Sequence, residues 1–214
     1  MFFFILSLVI LLIITILLAY LMGSVPSSVW LGRGLKGIDL RDYGSGNAGA
    51  TNAFRVLGNP IGIVVLVVDM MKGFLAVNLS HLQDEIIPGS EVWMIFRIGL
   101  GLVAVTGHIF PLFAGFKGGK GVATIAGVGL ALHPYAALAA MGVYLVVFLF
   151  FKLSALGSIS AVLSYPLWMI PVFQADYKAL WIFAIFVPVL TLFTHRSNIR
   201  RLLQKEEKSV FRKP

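Results

Sequence analysis

Seven apolar runs follow one another along this chain, at about residues 3–22, 60–80, 92–114, 121–132, 135–151, 155–173 and 179–194, and they leave little room for any other kind of structure. About 20 consecutive apolar residues can cross the hydrocarbon core of a bilayer as a helix, the form in which such a segment satisfies its own backbone groups. With 59% of its 214 residues hydrophobic, the chain has more apolar surface than a soluble core of its size can hide. The expected fold class is all-α: a polytopic integral membrane protein. It should form a single membrane domain over residues 1–214, with a basic tail over about 195–214. The first run has no basic segment before it and no small-x-small cleavage site, so it reads as a retained helix rather than a signal peptide.

The number of crossings turns on residues 121–151, which are broken at His133-Pro134. If this stretch crosses once there are six spans, and if it folds back there are seven. Charge decides between them. Loop 31–59 carries Arg33, Lys36, Arg41 and Arg55, the 115–120 turn carries Lys117 and Lys120, and the tail carries Arg196, Arg200, Arg201, Lys205, Lys208, Arg212 and Lys213. Segment 81–91, "HLQDEIIPGSE", has acids and no Lys or Arg. Basic loops stay in the cytoplasm. Six spans would strand the basic tail outside, whereas seven bring it in, so the expectation is seven transmembrane helices, N-terminus outside and C-terminus cytoplasmic. The halves of 121–151 are short for full crossings and should be tilted or shielded by neighbours.

Lys and Arg outnumber Asp and Glu by 17 to 9, but no basic run is interleaved with aromatics, so no nucleic-acid partner is expected. The chain has no Cys, which excludes disulfides, thiolate nucleophiles and Cys-ligated metals. Its four His (His81, His108, His133 and His195) form no metal-ligand pair, and no metal site is expected. No internal repeat or soluble domain is visible.

Seven spans put four polar stretches on one face: "GSGNAGATNAFR", "GFKGGKGVAT", "KLSALGS" and "HRSNIRR". In the first, small residues admit a ligand to the backbone, Ser45, Asn47, Thr51 and Asn52 add neutral hydrogen-bonding groups, and Arg55 is a planar fork suited to phosphate. In the second, Gly118, Gly119 and Gly121 are able to form a backbone nest beside Lys117 and Lys120, just before a helix. The first is not a dinucleotide fingerprint, and the second meets the Walker A spacing only up to Lys120, because Gly121 follows it. His195 and Asn198, three apart, share a face if the last helix continues. Each feature has a plainer alternative: close helix packing for the glycines, topological anchoring for Lys117, Lys120 and the His195-Arg196 pair, and helix capping for Ser154 and Ser158. Asp69 and Lys72, also three apart within a span, are functional candidates or simply a pair that orients the helix. His81 and His108 receive no role. With no acid near His195 before Glu206, no nucleophilic triad can be built. The pocket is better suited to gripping anions, with the substrate supplying the nucleophile.

The strings "GSGNAGATNAFRVLG", "GHIFPLFAGFKGGKGVAT" and "HRSNIRRL", in this order, resemble the three motifs of the bacterial acyl-phosphate-dependent glycerol-3-phosphate acyltransferases, over about Gly23 to Leu202. The resemblance implies a seven-span enzyme of the bacterial cytoplasmic (inner) membrane, its site facing the cytoplasm. The implied reaction moves a fatty acyl group from acyl phosphate to sn-glycerol 3-phosphate, giving 1-acyl-sn-glycerol 3-phosphate and phosphate, the first step of phospholipid synthesis. It needs no cofactor, and the partners are the two substrates, membrane lipid and the soluble acyl-phosphate synthase. Carried over, the motifs implicate Ser45, Gly46, Asn47, Thr51, Asn52 and Arg55 from the first, Lys117, Gly118, Gly119, Lys120 and Gly121 from the second, and His195 and Asn198 from the third. The serine turn adds Ser154, with Ser158 as second choice. Among these, Ser45, Thr51, Arg55, Lys120, Ser154, His195 and Asn198 are expected in catalysis and the others in substrate binding. One departure stands out: the Gly that usually precedes the tail's acid is replaced around Lys205, which leaves the role of Glu207 open. No His has an Asp five residues on, so the H-x-x-x-x-D chemistry of another acyltransferase class is not supported. A transporter for a phosphorylated solute is the alternative, but it should carry polar residues through several spans, and here they cluster at one surface.

Overall fold

The computed structural model describes residues 2–83 and 85–210. Asp84 of the acidic segment and Arg212 and Lys213 of the basic tail lie outside them. Among the described residues there is helix and no strand. The α-helices are α1 (Phe2–Gly23), α2 (Ser27–Lys36), α3 (Ala50–Leu57), α4 (Asn59–Asn78), α5 (Glu91–Ile109), α6 (Val122–Leu132), α7 (Pro134–Phe151), α8 (Ser154–Leu167), α9 (Lys178–Thr194) and α10 (Arg196–Leu203). A π-helical turn, Trp168–Val172, extends α8 where Pro166 and Pro171 remove amide donors.

A helix stands at each apolar run, but not all are long and apolar enough to count as a crossing by themselves. Five of the described spans are long and apolar enough: Ile5–Gly23, Asn59–Leu82, Glu91–Ala114, Pro134–Phe151 and Ser154–Val172. A sixth is reached only if α9 and α10 are counted together across a 69° bend. The 11 residues of α6 give roughly 16 Å of helix. They are shielded as expected, with Thr124, Val128 and Leu132 all buried. The break at His133-Pro134 is real: Pro134 opens α7, and the His133 side chain accepts the Ala136 N–H at 3.3 Å. Gly129 packs against Ala137, and α6 and α7 form a hairpin.

Helices cross through glycine. A Cβ on Gly23 or Gly107 would run into the backbone of the partner helix where α1 meets α5, and one on Gly73 or Gly127 would do so where α4 meets α6. In a lipid solvent, where burying apolar surface gives helices little drive to associate, such close backbone approach is what holds them together. The outward faces stay apolar: Phe150, Ile182 and Phe193 are each more than 60% exposed. The shared core, including Val77, Ile98, Val105, Val128, Tyr165 and Phe183, sits among α4, α5, α6, α8 and α9.

The 31–59 loop is more ordered than its composition announces. It contains the end of α2, a short turn at Leu40–Asp42 and α3. Arg41 fastens it to the second motif: Nε and Nη2 reach the Asp39 carboxylate at 3.0 and 2.7 Å, and Nη1 donates to the Ala114 carbonyl at 2.7 Å. The same guanidinium holds the Asp39 carboxyl well below the usual carboxylate range.

Candidate active site

The four polar stretches meet at one end of the bundle, around a cavity of about 290 Å³. Its mouth is lined by Ser45, Asn47, Thr51, Asn52 and Arg55, by Lys120 and Gly121, by Ser154 and Ser158, and by His195, Asn198 and Glu207. Deeper in, its walls are mostly apolar side chains of α4, α6, α7, α8 and α9, with Asp69, Tyr144 and Tyr165 among them.

Thr51 and Arg55 lie four apart on α3, and both line the cavity. The Thr51 hydroxyl is 2.9 Å from that of Ser154, which is also 3.1 Å from the Tyr144 hydroxyl. Ser154 is thus part of a hydroxyl chain rather than a cap, since α8 begins after Leu153 with no side-chain capping bond. Asn52 has a role in the fold beside the one expected. Its Nδ2 donates to the carbonyls of Leu40, Tyr43 and Asn47, and its Oδ1 accepts the Ser45 N–H at 2.9 Å. With its donors spent and the residue buried, Asn52 shapes the loop at the rim of the cavity that it helps to line. Gly46 does not line the cavity: it has φ +73° and its N–H closes a turn onto the Tyr43 carbonyl.

The second motif is also redistributed. The Gly118 and Gly119 amides donate to the carbonyls of Ile109 and His108, at 3.1 and 3.2 Å. Side chains there would strike the end of α5. The expected three-glycine anion nest is therefore not formed: two of the three amides dock the loop on α5. Gly121, at φ +86°, starts α6 and alone of the three lines the cavity. Lys117 is exposed and lies outside the cavity, whereas Lys120 reaches in and bonds Asn198 Oδ1. Burial lowers the Lys120 ammonium to about 8; the Glu207 carboxylate opposes that shift, and the Arg201 and Arg55 guanidinium groups add to it.

Arg55 directs its fork at the tail, donating from Nη2 to the Lys208 carbonyl at 2.6 Å and from Nε to that of Ser209 at 3.3 Å. Desolvation lowers its pKa, with Glu207 pulling the other way. Glu207, left open by the sequence, is a buried link: Oε1 accepts from Asn198 Nδ2 and Oε2 from Arg201 Nε, both at 2.8 Å. The replaced glycine explains itself here, because Lys205 adopts φ +58° in the turn that brings Glu207 back. A side chain is tolerated in that left-handed conformation at about 1–2 kcal/mol.

His195 is buried at the bend between α9 and α10, and its Nδ1 stands 3.0 Å from the Thr191 carbonyl. That pairing requires a proton on Nδ1, so in the neutral ring Nε2 is an acceptor. The helix does not continue straight, yet His195 and Asn198 still both line the cavity. Further residues also line the cavity: Tyr144, which escaped the sequence reading, His108, which received no role there, and Asp69, one of its candidates. Tyr144 and His108 had a detectable signal, one as a polar ring inside an apolar run and the other as the opening of the second motif. Asp69 and Lys72 do pair, at 2.9 Å, with the Ser27 hydroxyl donating to Asp69 at 2.8 Å and His108 Nδ1 at 3.8 Å.

The sequence pattern of the family described as glycerol-3-phosphate acyltransferase matches residues 13–205. A protein named glycerol-3-phosphate acyltransferase from Chlorobium phaeobacteroides is 40% identical, over 93% of this chain and 96% of its own. One of the same name from Listeria welshimeri is 42% identical over the same shares. The crystal structure of PlsY (YgiH), an integral membrane glycerol 3-phosphate acyltransferase, in its glycerol 3-phosphate form, is similar at a TM-score of 0.81. It is 37% identical, over 92% of this chain and 94% of that one.

Proposed function

The chain belongs to the glycerol-3-phosphate acyltransferase family, and from that premise we propose that it takes its acyl group from acyl phosphate and releases 1-acyl-sn-glycerol 3-phosphate and phosphate. The observation that carries this reading is one continuous cavity with two chemistries: Arg55 and Lys120 at its mouth, and an apolar arm between helices behind them. The cations suit the phosphate groups of both substrates, and the arm suits an acyl chain.

In the proposed reaction the glycerol 1-hydroxyl oxygen attacks the acyl carbonyl carbon, the bond from that carbon to the phosphate oxygen breaks, and phosphate leaves. The proton passes to a phosphate oxygen or to His195 Nε2. Acyl phosphate is a mixed anhydride with a good leaving group, so holding the reactants together does much of the work, about 7–11 kcal/mol when geometry is good. Lys120 and Arg55 hold phosphate, and the hydroxyls of Thr51 and Ser154 line the approach, with Ser45, Asn47, Gly121 and Ser158 completing the walls. Asn198 positions Lys120 and Glu207. The loops carrying the site are basic, which supports seven spans with the site and C-terminus on the cytoplasmic side of a bacterial inner membrane. A soluble acyl-phosphate synthase then delivers the donor from that side.

Purified protein given palmitoyl phosphate should release inorganic phosphate and form lysophosphatidate only when glycerol 3-phosphate is present. Phosphate release that ignores glycerol 3-phosphate, or no acyl transfer at all, would overturn the donor assignment. Replacing His195 by Gln keeps a hydrogen-bonding side chain without basicity, and kcat should fall by roughly 10²–10⁴. An unchanged rate would remove His195 as proton acceptor.

A further inference from the structure

The apolar arm has a floor. Near the Thr51–Ser154 hydroxyl pair its wall includes Leu145, which is 55% exposed on the outer surface. At the far end the lining residues Tyr165, Gly129, Ala137 and Val187 are all buried. Tyr165 lies on α8, 11 residues beyond Ser154, a helical distance of roughly 16 Å and the order of length of a fatty acyl chain. Phe183 of α9 braces its ring edge-on, with centroids 6.2 Å apart at 88°.

The floor is tight as well as closed. A Cβ built on Gly129 would stand 3.4 Å from the Tyr165 hydroxyl oxygen and 3.3 Å from the Ala137 Cβ, so α6, α7 and α8 come into contact at this level. The Tyr165 hydroxyl is buried there with no hydrogen-bond partner among the described residues. Packing alone does not call for it, since a phenylalanine ring would fill the same space without stranding a polar atom. What the hydroxyl does is carry the ring one atom further across the end of the arm.

We propose that Tyr165 is the stop that sets acyl-chain length: the methyl end of the bound chain abuts its ring, and Gly129 and Ala137 complete the floor. This rests on the reading that the arm holds the donor's acyl group. A closed apolar floor discriminates chains by the methylenes that do not fit, each worth roughly 10-fold or more in kcat/KM.

Decanoyl, lauroyl, myristoyl, palmitoyl and stearoyl phosphate, each assayed with glycerol 3-phosphate on purified full-length protein, test the proposal through the ratio of long-chain to short-chain kcat/KM. Tyr165→Ala should raise that ratio by about 10-fold or more, and Tyr165→Phe, which trims one atom, should raise it less. Ala137→Leu, which thickens the floor, should lower it. If Tyr165→Ala does not fold, the other two variants still push the ratio in opposite directions. An unchanged ratio in variants that transfer acyl groups briskly overturns the stop and leaves the transferase intact. A wild-type protein that transfers none of the five chains overturns the functional reading and the stop with it.

Discussion

Ser27, Asp69, Lys72 and His108 form one polar cluster, Arg55, Lys120, Asn198, Arg201 and Glu207 form another, and they differ in whether their charge closes on itself. In the first, one ammonium meets one carboxylate at 2.9 Å, and the Val25 carbonyl and Ser27 hydroxyl take up further hydrogen bonds. In the second, three cations stand against a single carboxylate, which pairs with Arg201 alone of the three, while Lys120 bonds Asn198 and the Arg55 fork is held by two backbone carbonyls of the tail. Both clusters border the same cavity. A balanced pair inside a bundle is part of the fold, because removing either charge strands the other. A cationic excess whose partners are neutral oxygens is a place where an anion gains more than it displaces.

The comparison can be broken first at Asp69. Asp69→Ala leaves Lys72 buried without its counter-charge and should cost about 3–5 kcal/mol of stability, read as a lower unfolding midpoint in detergent. Adding Lys72→Met should restore most of it. A midpoint that stays put while turnover vanishes would move this cluster from the fold to the chemistry.

Lys120→Ala should do the reverse. A loss of about 10²–10³ in kcat/KM, or about 2.7–4 kcal/mol of transition-state stabilisation, is expected with an unchanged unfolding midpoint. A stability loss as large as that of Asp69→Ala would erase the distinction between the clusters.

Titration sharpens it further. Lys120 is charged below about pH 8 and neutral above, so anion binding that depends on it weakens as pH rises through 8. KM for glycerol 3-phosphate should then climb about tenfold per pH unit. Lys120→Arg keeps its charge throughout and should abolish this limb, whatever its effect on rate. A limb that survives the substitution belongs to another group.

The smallest effect is expected at the turn that returns Glu207 to the second cluster. Lys205→Gly relieves left-handed strain of about 1–2 kcal/mol, partly offset by about 0.4–1 kcal/mol of added freedom in the unfolded chain. A stability gain between zero and about 1.6 kcal/mol, with activity kept, is the outcome to look for. A sharp loss would mean that the lysine side chain itself holds the tail.

Much of this was legible from residue order. The apolar runs gave the helices, the His133-Pro134 break gave the α6–α7 hairpin, and the positions of Ser45, Thr51, Arg55, Lys120, Ser154, His195 and Asn198 led to one cavity. Length limited the rest: α6 is too short to be counted as a crossing, and α9 reaches that test only together with α10. The glycines of the second motif show another limit. Gly118, Gly119 and Gly121 look alike as letters, but whether an amide faces a ligand or a carbonyl depends on the path of the turn, and two of the three face α5.

By itself the sequence determined that this chain is helical, lives in a membrane and gathers its polar motifs at one surface, because hydropathy and charge act locally, residue by residue. Only the tertiary structure decided that Asn52 spends its hydrogen bonds on the loop, that Glu207 ties Asn198 to Arg201, that Asp69 and Lys72 balance each other, and that Tyr165 closes the arm. Those outcomes depend on which groups from distant segments come within about 3 Å of one another, and that distance is set by the packing of the whole bundle.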